Sequence, residues 1–132
     1  DAHASAFRAY ILIHLGRPEE AVDWIRKAMR LNPFHPGWYW NPLARALHAA
    51  GRHEEALAAF ERIAVPRFFH LAYMAVCHHR LGHGLEAARQ VRRTLEAKPD
   101  FSSGGWLATV PFRREEDRQR LLEELRAAGL PA

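Results

Sequence analysis

Nine histidines and a single cysteine are the residues of this 132-residue chain whose types lend themselves most readily to chemistry. Neutral imidazole ligates zinc and exchanges protons near neutral pH, and a cysteine thiolate is a nucleophile or metal ligand. His78 and His79 are adjacent, and neighbours on a helix point about 100° apart, so the two make a poor chelating pair. His14, His48 and His79 are expected near one level of successive helices, within approach of one another. A zinc site needs three or four converging ligands at about 2 Å, and no acidic or Cys ligand stands at helical spacing to complete one. These histidines read as groove or surface groups titrating near roughly pH 6 to 7. Cys77 lies among Leu71, Met74 and Ala75 on a helix interior and reads as a small packing residue. There is no Gly-rich phosphate loop after a strand and no supported Ser-His-Asp spacing. The expectation is a chain that is not an enzyme, with no catalytic residue, metal site or cofactor.

The elements that must position these groups are helical. Leu15-Gly16-Arg17-Pro18-Glu19-Glu20-Ala21, Ala50-Gly51-Arg52-His53-Glu54-Glu55-Ala56 and Leu81-Gly82-His83-Gly84-Leu85-Glu86-Ala87 each read as a helix stop, a tight turn and a new helix. The glycines lie roughly 30 to 35 residues apart, a period that means stacked helical hairpins. Apolar residues at helical spacing predict helices over about 2–15, 18–31, 38–50, 53–64, 67–81, 85–97 and 114–128, with no two-residue alternation of a strand. Pro42, inside the third, predicts a kink or a delayed start. Ser102-Ser103-Gly104-Gly105 reads as weakly structured, with Trp106 and Leu107 docking on the preceding hairpin. Trp40 and Leu43 read as core. The last helix carries Leu121, Leu122 and Leu125 on one face and reads as a cap over the final repeat, with a partner-binding or dimerising helix as the lesser reading.

Composition closes other classes. A formal charge of +4, 48% hydrophobic and 26% charged residues describe a folded chain with a mildly basic balance. Arg is interleaved with Glu, which favours an ion-paired helix surface over a nucleic-acid stripe. No apolar run approaches the ~18 residues that span a bilayer. One cysteine allows no internal disulfide, which favours a reducing cytoplasm. The chain opens at Asp1 rather than Met, and the expectation is an excised or processed piece of a longer protein.

Trp40-x2-Leu43-Ala44-x2-Leu47, followed by Ala56-x3-Phe60, resembles the tetratricopeptide repeat signature of Trp-x2-Leu-Gly-x2-Tyr, Ala-x3-Phe and a closing Pro. A looser first copy has Ala9, Leu12, Ala21, Ile25, Ala28 and Pro33, and a third has Leu71, Met74, Ala75, Ala87, Val91 and Pro99. The second is about three residues short, compressed around Val65-Pro66-Arg67. The resemblance implies an all-α solenoid of about three helix-turn-helix repeats over residues 1–100, with a linker and C-terminal capping helix over 101–132. Residues 30–40 and 125–131, with the linking stretches 98–102 and 110–112, further resemble the C-terminal repeat region of bacterial regulators. In that group the repeats follow a class III adenylate or guanylate cyclase domain or a winged-helix DNA-binding domain.

In such repeats the first helix of each hairpin lines a concave groove. By spacing, that surface includes Phe7, Tyr10, His14, Trp38, Asn41, Arg45, His48, Phe69, Tyr73, His79 and Arg80. Aromatics with Arg are the types that dominate interface hot spots. The competing reading for Phe7, Trp38 and Phe69 is packing between neighbouring first helices. Some repeats of this kind clamp a chaperone-tail carboxylate with Lys, Asn and Arg. The matching positions here are Ala6, Tyr10, Pro42, Phe69 and Tyr73, so no such clamp is present. The expected function is a non-catalytic protein-interaction scaffold taking a protein or peptide ligand in the groove. The rivals are a structural spacer or self-association module, including a homodimer, and a histidine-cluster metal-binding protein. A membrane partner is excluded and nucleic acid is disfavoured.

Overall fold

A computed structural model describes all of residues 1–132. The chain is all-α and divides into two compact units, Asp1–Ala64 and Val65–Ala132. In the first, α1 (Ala2–His14) and α2 (Pro18–Leu31) form one hairpin, and α3 (Trp40–Ala49) and α4 (His53–Glu61) form the next. The division falls within the stretch read as repeats, at the compressed connection before Pro66.

Each hairpin turns on a glycine. Gly16 and Gly51 have φ of 76° and 78°, a region closed to most side chains. That geometry lets Arg17 N–H donate to Leu12 C=O at 2.9 Å and Gly16 N–H to Ile13 C=O at 3.1 Å, satisfying the last carbonyls of α1. The same pair of bonds closes α3, from Arg52 to Leu47 and from Gly51 to His48. Pro18 then takes the first position of α2, where a missing N–H costs nothing.

Small residues set the spacing. Ala6, Ala9, Ala21 and Ala28 are fully buried, which lets α1 and α2 approach, while Val22 and Ile25 fill the gaps. Leu47 and Phe60 do the same between α3 and α4. Each of these large side chains contributes about 1.5–3 kcal/mol by leaving water. Helix α3 packs on both α1 and α2. Along the neighbouring seam Arg26 Nη2 lies 2.9 Å from Glu55 Oε2, and Arg52 Nη1 lies 3.6 Å from Glu19 Oε2.

Pro42 produces a delayed start rather than a kink. A 3-10 turn, Gly37–Tyr39, precedes α3, and Pro42 falls in the first helical turn, where no intrahelical bond needs its N–H. This shifts the core assignment by one residue. Tyr39 is fully buried, whereas Trp40, expected in the core, is half-buried with the Arg62 guanidinium 4.7 Å from its ring centroid. Leu43 is buried as expected. Helix α4 ends at Glu61, short of residue 64. Arg62 and Ile63 donate three residues back, to Ala59 and Phe60, tightening the last turn.

In the second unit α5 (Phe68–Arg80) and α6 (Gly84–Ala97) form a hairpin, followed by α7 (Ser103–Leu107) and α8 (Glu115–Ala127). The stretch expected to be weakly structured is a short helix. Ser102 Oγ accepts from Gly105 N–H at 3.0 Å, and Ser103 N–H donates to Pro131 C=O at 2.9 Å. A side-chain cap and a tie to the C-terminal segment overcome the glycine entropy cost. Helix α8 packs on α5 and α7, burying Leu121 and Leu125, while Leu122 is half-buried. No helix is long and apolar enough to cross a membrane.

Candidate protein-interaction surfaces

In the first unit the expected groove residues separate into a buried network and an exposed aromatic edge. Arg45 Nη1 donates to Tyr10 Oη at 3.1 Å, and its guanidinium carbon sits 5.2 Å from the Tyr10 ring centroid. The His14 ring meets Tyr10 edge-on at 4.7 Å. His14 Nδ1 lies 3.1 Å from Tyr10 C=O, an atom that only accepts, so the proton is on Nδ1. Arg45, His14 and His48 are all buried, and Tyr10 is half-buried. Tyr10 and Arg45 join α1 to α3, His48 meets His53 at 5.7 Å, and the buried members present little to a ligand. Asn41 is half-buried.

The exposed edge is Phe7 and Trp38, 64% and 43% exposed, with ring centroids 5.7 Å apart. Trp38 also touches His3 at 5.8 Å and Tyr39 at 4.6 Å, and Tyr39 Oη shares a 2.6 Å hydrogen bond with His3 Nδ1. Thus a wholly buried Tyr39 holds the turn that carries an exposed Trp38.

The second unit repeats the theme with other residues. Phe69, half-buried, stacks on half-buried Trp106 at 6.1 Å and 8° between planes. Tyr73 is buried and meets Trp106 edge-on at 5.6 Å, and the Arg67 guanidinium lies 5.4 Å from the Phe69 ring centroid. Trp106 docks on α5 as its position after the hairpin suggested, and it belongs with the candidate residues. The sequence signal was its size beside two glycines. His79 and Arg80 are exposed at the end of α5.

Cys77 is fully buried, and desolvation, helped by the nearby Glu124 carboxylate, pushes its thiol up to about 12. At neutral pH it stays a protonated thiol, a poor nucleophile. No three His, Cys, Asp or Glu side chains converge on a point that suits a metal ion. His78 comes close to His83, their Nδ1 atoms 3.2 Å apart across the α5–α6 turn, and His48 to His53, with ring centroids 5.7 Å apart.

His14 carries a pH consequence. Burial chiefly, and then the Arg45 charge, hold its imidazole below the ordinary value of 6.5, against the opposing pull of the Tyr10 carbonyl. The unfolded chain therefore binds a proton that the folded chain refuses. This contribution is intact above pH 6.5 and is lost as pH falls through 6.5 toward the lower folded value. Its slope cannot exceed about 1.4 kcal/mol per pH unit. Urea unfolding between pH 7.5 and 5 is expected to show stability falling, and His14→Gln is expected to remove that part of the slope. The Glu55 carboxyl is lowered from 4.5, first by its hydrogen bond from Arg52 and then by that from Arg26. It acts in a separate, more acidic window.

Paired Ala-lined hairpins, each closed by a glycine in the left-handed region and stacked first helix on preceding hairpin, describe the first unit. Residues 2–64 match the tetratricopeptide repeat. That stretch is the first unit almost entirely. Tetratricopeptide repeats generally mediate protein–protein interaction and are typically non-catalytic. No curated protein sequence matches the chain.

Proposed function

We propose that this chain is a non-catalytic recognition module that takes a protein or peptide ligand on aromatic surfaces built on α1 and α5 with neighbouring turns and α7. The observation that carries the reading is the exposed Phe7–Trp38 pair, held from beneath by buried Tyr39. Phe69 with Trp106 provides a comparable surface in the second unit. Exposed aromatics on a buried, hydrogen-bonded support are ordered before binding, which lowers the entropy cost of association. The remaining expected groove residues, Tyr10, His14, Asn41, Arg45, His48, Tyr73, His79 and Arg80, then act as support or rim. The resemblance of residues 30–40 and 125–131 to bacterial regulators supports a place as the regulatory module of a larger signalling or transcription-regulatory protein, working in the cytoplasm.

The test uses exposed positions, because charge reversal at buried Arg45 would confound binding with folding. Affinity enrichment with the wild type is compared with Trp38→Ala and Phe69→Ala, each checked for native helicity by circular dichroism. A ligand held by the wild type is expected to bind at least about 30-fold more weakly to one variant, the loss that a hot spot implies. Equal retention by folded variants refutes the aromatic surfaces as the site. Self-association on the same surfaces is the second reading, favoured by the 43% exposure of a tryptophan. Sedimentation showing a dimer dissociated by Trp38→Ala would establish it.

A further inference from the structure

We propose that His78 and His83, which meet across the α5–α6 turn, form a two-histidine binding site for a divalent transition-metal ion such as zinc. The site lies wholly within the second unit and uses none of the aromatic surfaces described above.

The backbone explains why this pair meets. Five residues apart on one continuous helix, two side chains point about 140° apart. Here a glycine turn intervenes, with Gly82 at φ of 80°. The residue after the glycine donates its N–H to a carbonyl five residues back, His83 to His78 at 2.8 Å, and that bond sets the two side chains next to each other. The other two turns make the same bond, Arg17 to Leu12 and Arg52 to Leu47, each at 2.9 Å. They fill the paired places with a buried leucine and an arginine that bridges a glutamate three residues on. In the α5–α6 turn both places are histidine. The leucine's apolar contact is given up, and the rings stand within reach of water, His78 half-buried and His83 exposed.

The rings meet nitrogen to nitrogen. Their Nδ1 atoms are 3.2 Å apart, with centroids at 5.4 Å and planes at 49°. Two Zn–N bonds of about 2.0–2.1 Å at a tetrahedral angle separate their nitrogens by about 3.3–3.4 Å, so the spacing matches one edge of a zinc tetrahedron. A small rotation of each ring turns the two Nδ1 atoms from one another toward a shared ion. In the metal-free chain two neutral rings in this contact hold one proton between them, because one Nδ1 donates and the other accepts. Metal binding moves that proton to Nε2 of its own ring. One N–H bond breaks, another forms, both Nδ1 lone pairs go to the metal, and no net proton is released. Imidazole selects zinc, copper or nickel over magnesium. No third His, Cys, Asp or Glu side chain joins the pair, so water holds the remaining positions and the ion stays exchangeable. The bound ion ties the last turn of α5 to the start of α6.

The test uses the full chain, prepared without an affinity tag and stripped of metal, with zinc chloride as the probe. Imidazole ¹⁵N NMR is expected to show saturable one-to-one changes at Nδ1 of His78 and His83, with both rings then protonated on Nε2. Amide exchange at Gly82 and His83 is expected to slow. His83→Gln, an exposed change, and His78→Gln are each expected to weaken zinc binding at least about tenfold, the scale on which losing a group at a metal site acts. Circular dichroism checks that each variant is folded. His79→Gln and Trp38→Ala are expected to bind as the wild type does, which separates this site from the aromatic surfaces. No saturation up to millimolar zinc would reduce the pair to a hydrogen bond within the turn and overturn the proposal. Shifts spread evenly over the histidines, an equal response to magnesium chloride, or full binding by folded His83→Gln would overturn it too.

Discussion

Tyr39→Ala is expected to destabilise the first unit by about 3–5 kcal/mol, the range for deleting a large buried aromatic. Tyr39 is fully buried, and its ring stacks on His35 at 4.9 Å and 9°. Its hydroxyl also bonds His3 Nδ1 at 2.6 Å, so truncation opens a cavity and loses that bond as well. Tyr39→Phe keeps the volume and loses only that bond, about 1 kcal/mol. Trp40→Ala is the informative contrast. Trp40 is half-buried beneath Arg62, and its truncation is expected to cost about 1–2 kcal/mol, an ordinary value for a partly exposed site. Equilibrium urea unfolding of the three variants orders them. A Trp40 variant less stable than the Tyr39 variant would return the anchoring role to the tryptophan. The same melt would show whether Trp38 keeps its place, since the turn it stands on is held by Tyr39.

That contrast marks how far the sequence could be read. The hairpin ends were legible because left-handed backbone after a helix narrows the choice to glycine, and Gly16 and Gly51 stand where the apolar pattern breaks. Alanines at contact positions were legible for a like reason, since only small side chains let helix axes close. The register of α3 was not. Trp40 fits the repeat signature, but the 3-10 turn over Gly37–Tyr39 winds the chain more tightly than an α-helix and rotates Tyr39 inward in its place. Part of the expected groove set is buried on related grounds, whereas Phe7, Trp38, His79 and Arg80 are exposed. Spacing says which helix face a side chain occupies, whereas the burial of Arg45, His14 and Tyr73 depends on how long neighbours fold over it. The Tyr10–Arg45 bond spans 35 residues, one repeat period, and no local pattern announces it. Helix α7 was hidden because two glycines argue for a loop, while the bond from Ser103 to Pro131 that helps hold it comes from 28 residues away.

Leu125→Ala decides whether α8 belongs to the fold or is held in reserve for a partner. Leu125 is fully buried and Leu121 nearly so on the face of a helix that packs on α5. The truncation is expected to cost the second unit about 3–5 kcal/mol, the span seen when a well-packed core leucine is cut back. A helix docked only loosely would surrender far less, because its leucines would be in contact with water already. Cys77 supplies a local readout. It lies on α5, fully buried, near enough to Glu124 of α8 for that carboxylate to raise its thiol, which burial has pushed up to about 12. In the native state an alkylating reagent at pH 8 must wait for the helices to part, and the rate then follows the population of the open form. Losing 3 kcal/mol of closure is expected to speed alkylation roughly hundredfold, since each 1.4 kcal/mol is a factor of ten. Unchanged stability with unchanged alkylation would show that α8 is not part of the packed unit, and its leucine face would then be free to serve a partner. A large loss of stability with much faster alkylation makes the leucines structural and leaves the aromatic surfaces as the proposed place for a ligand.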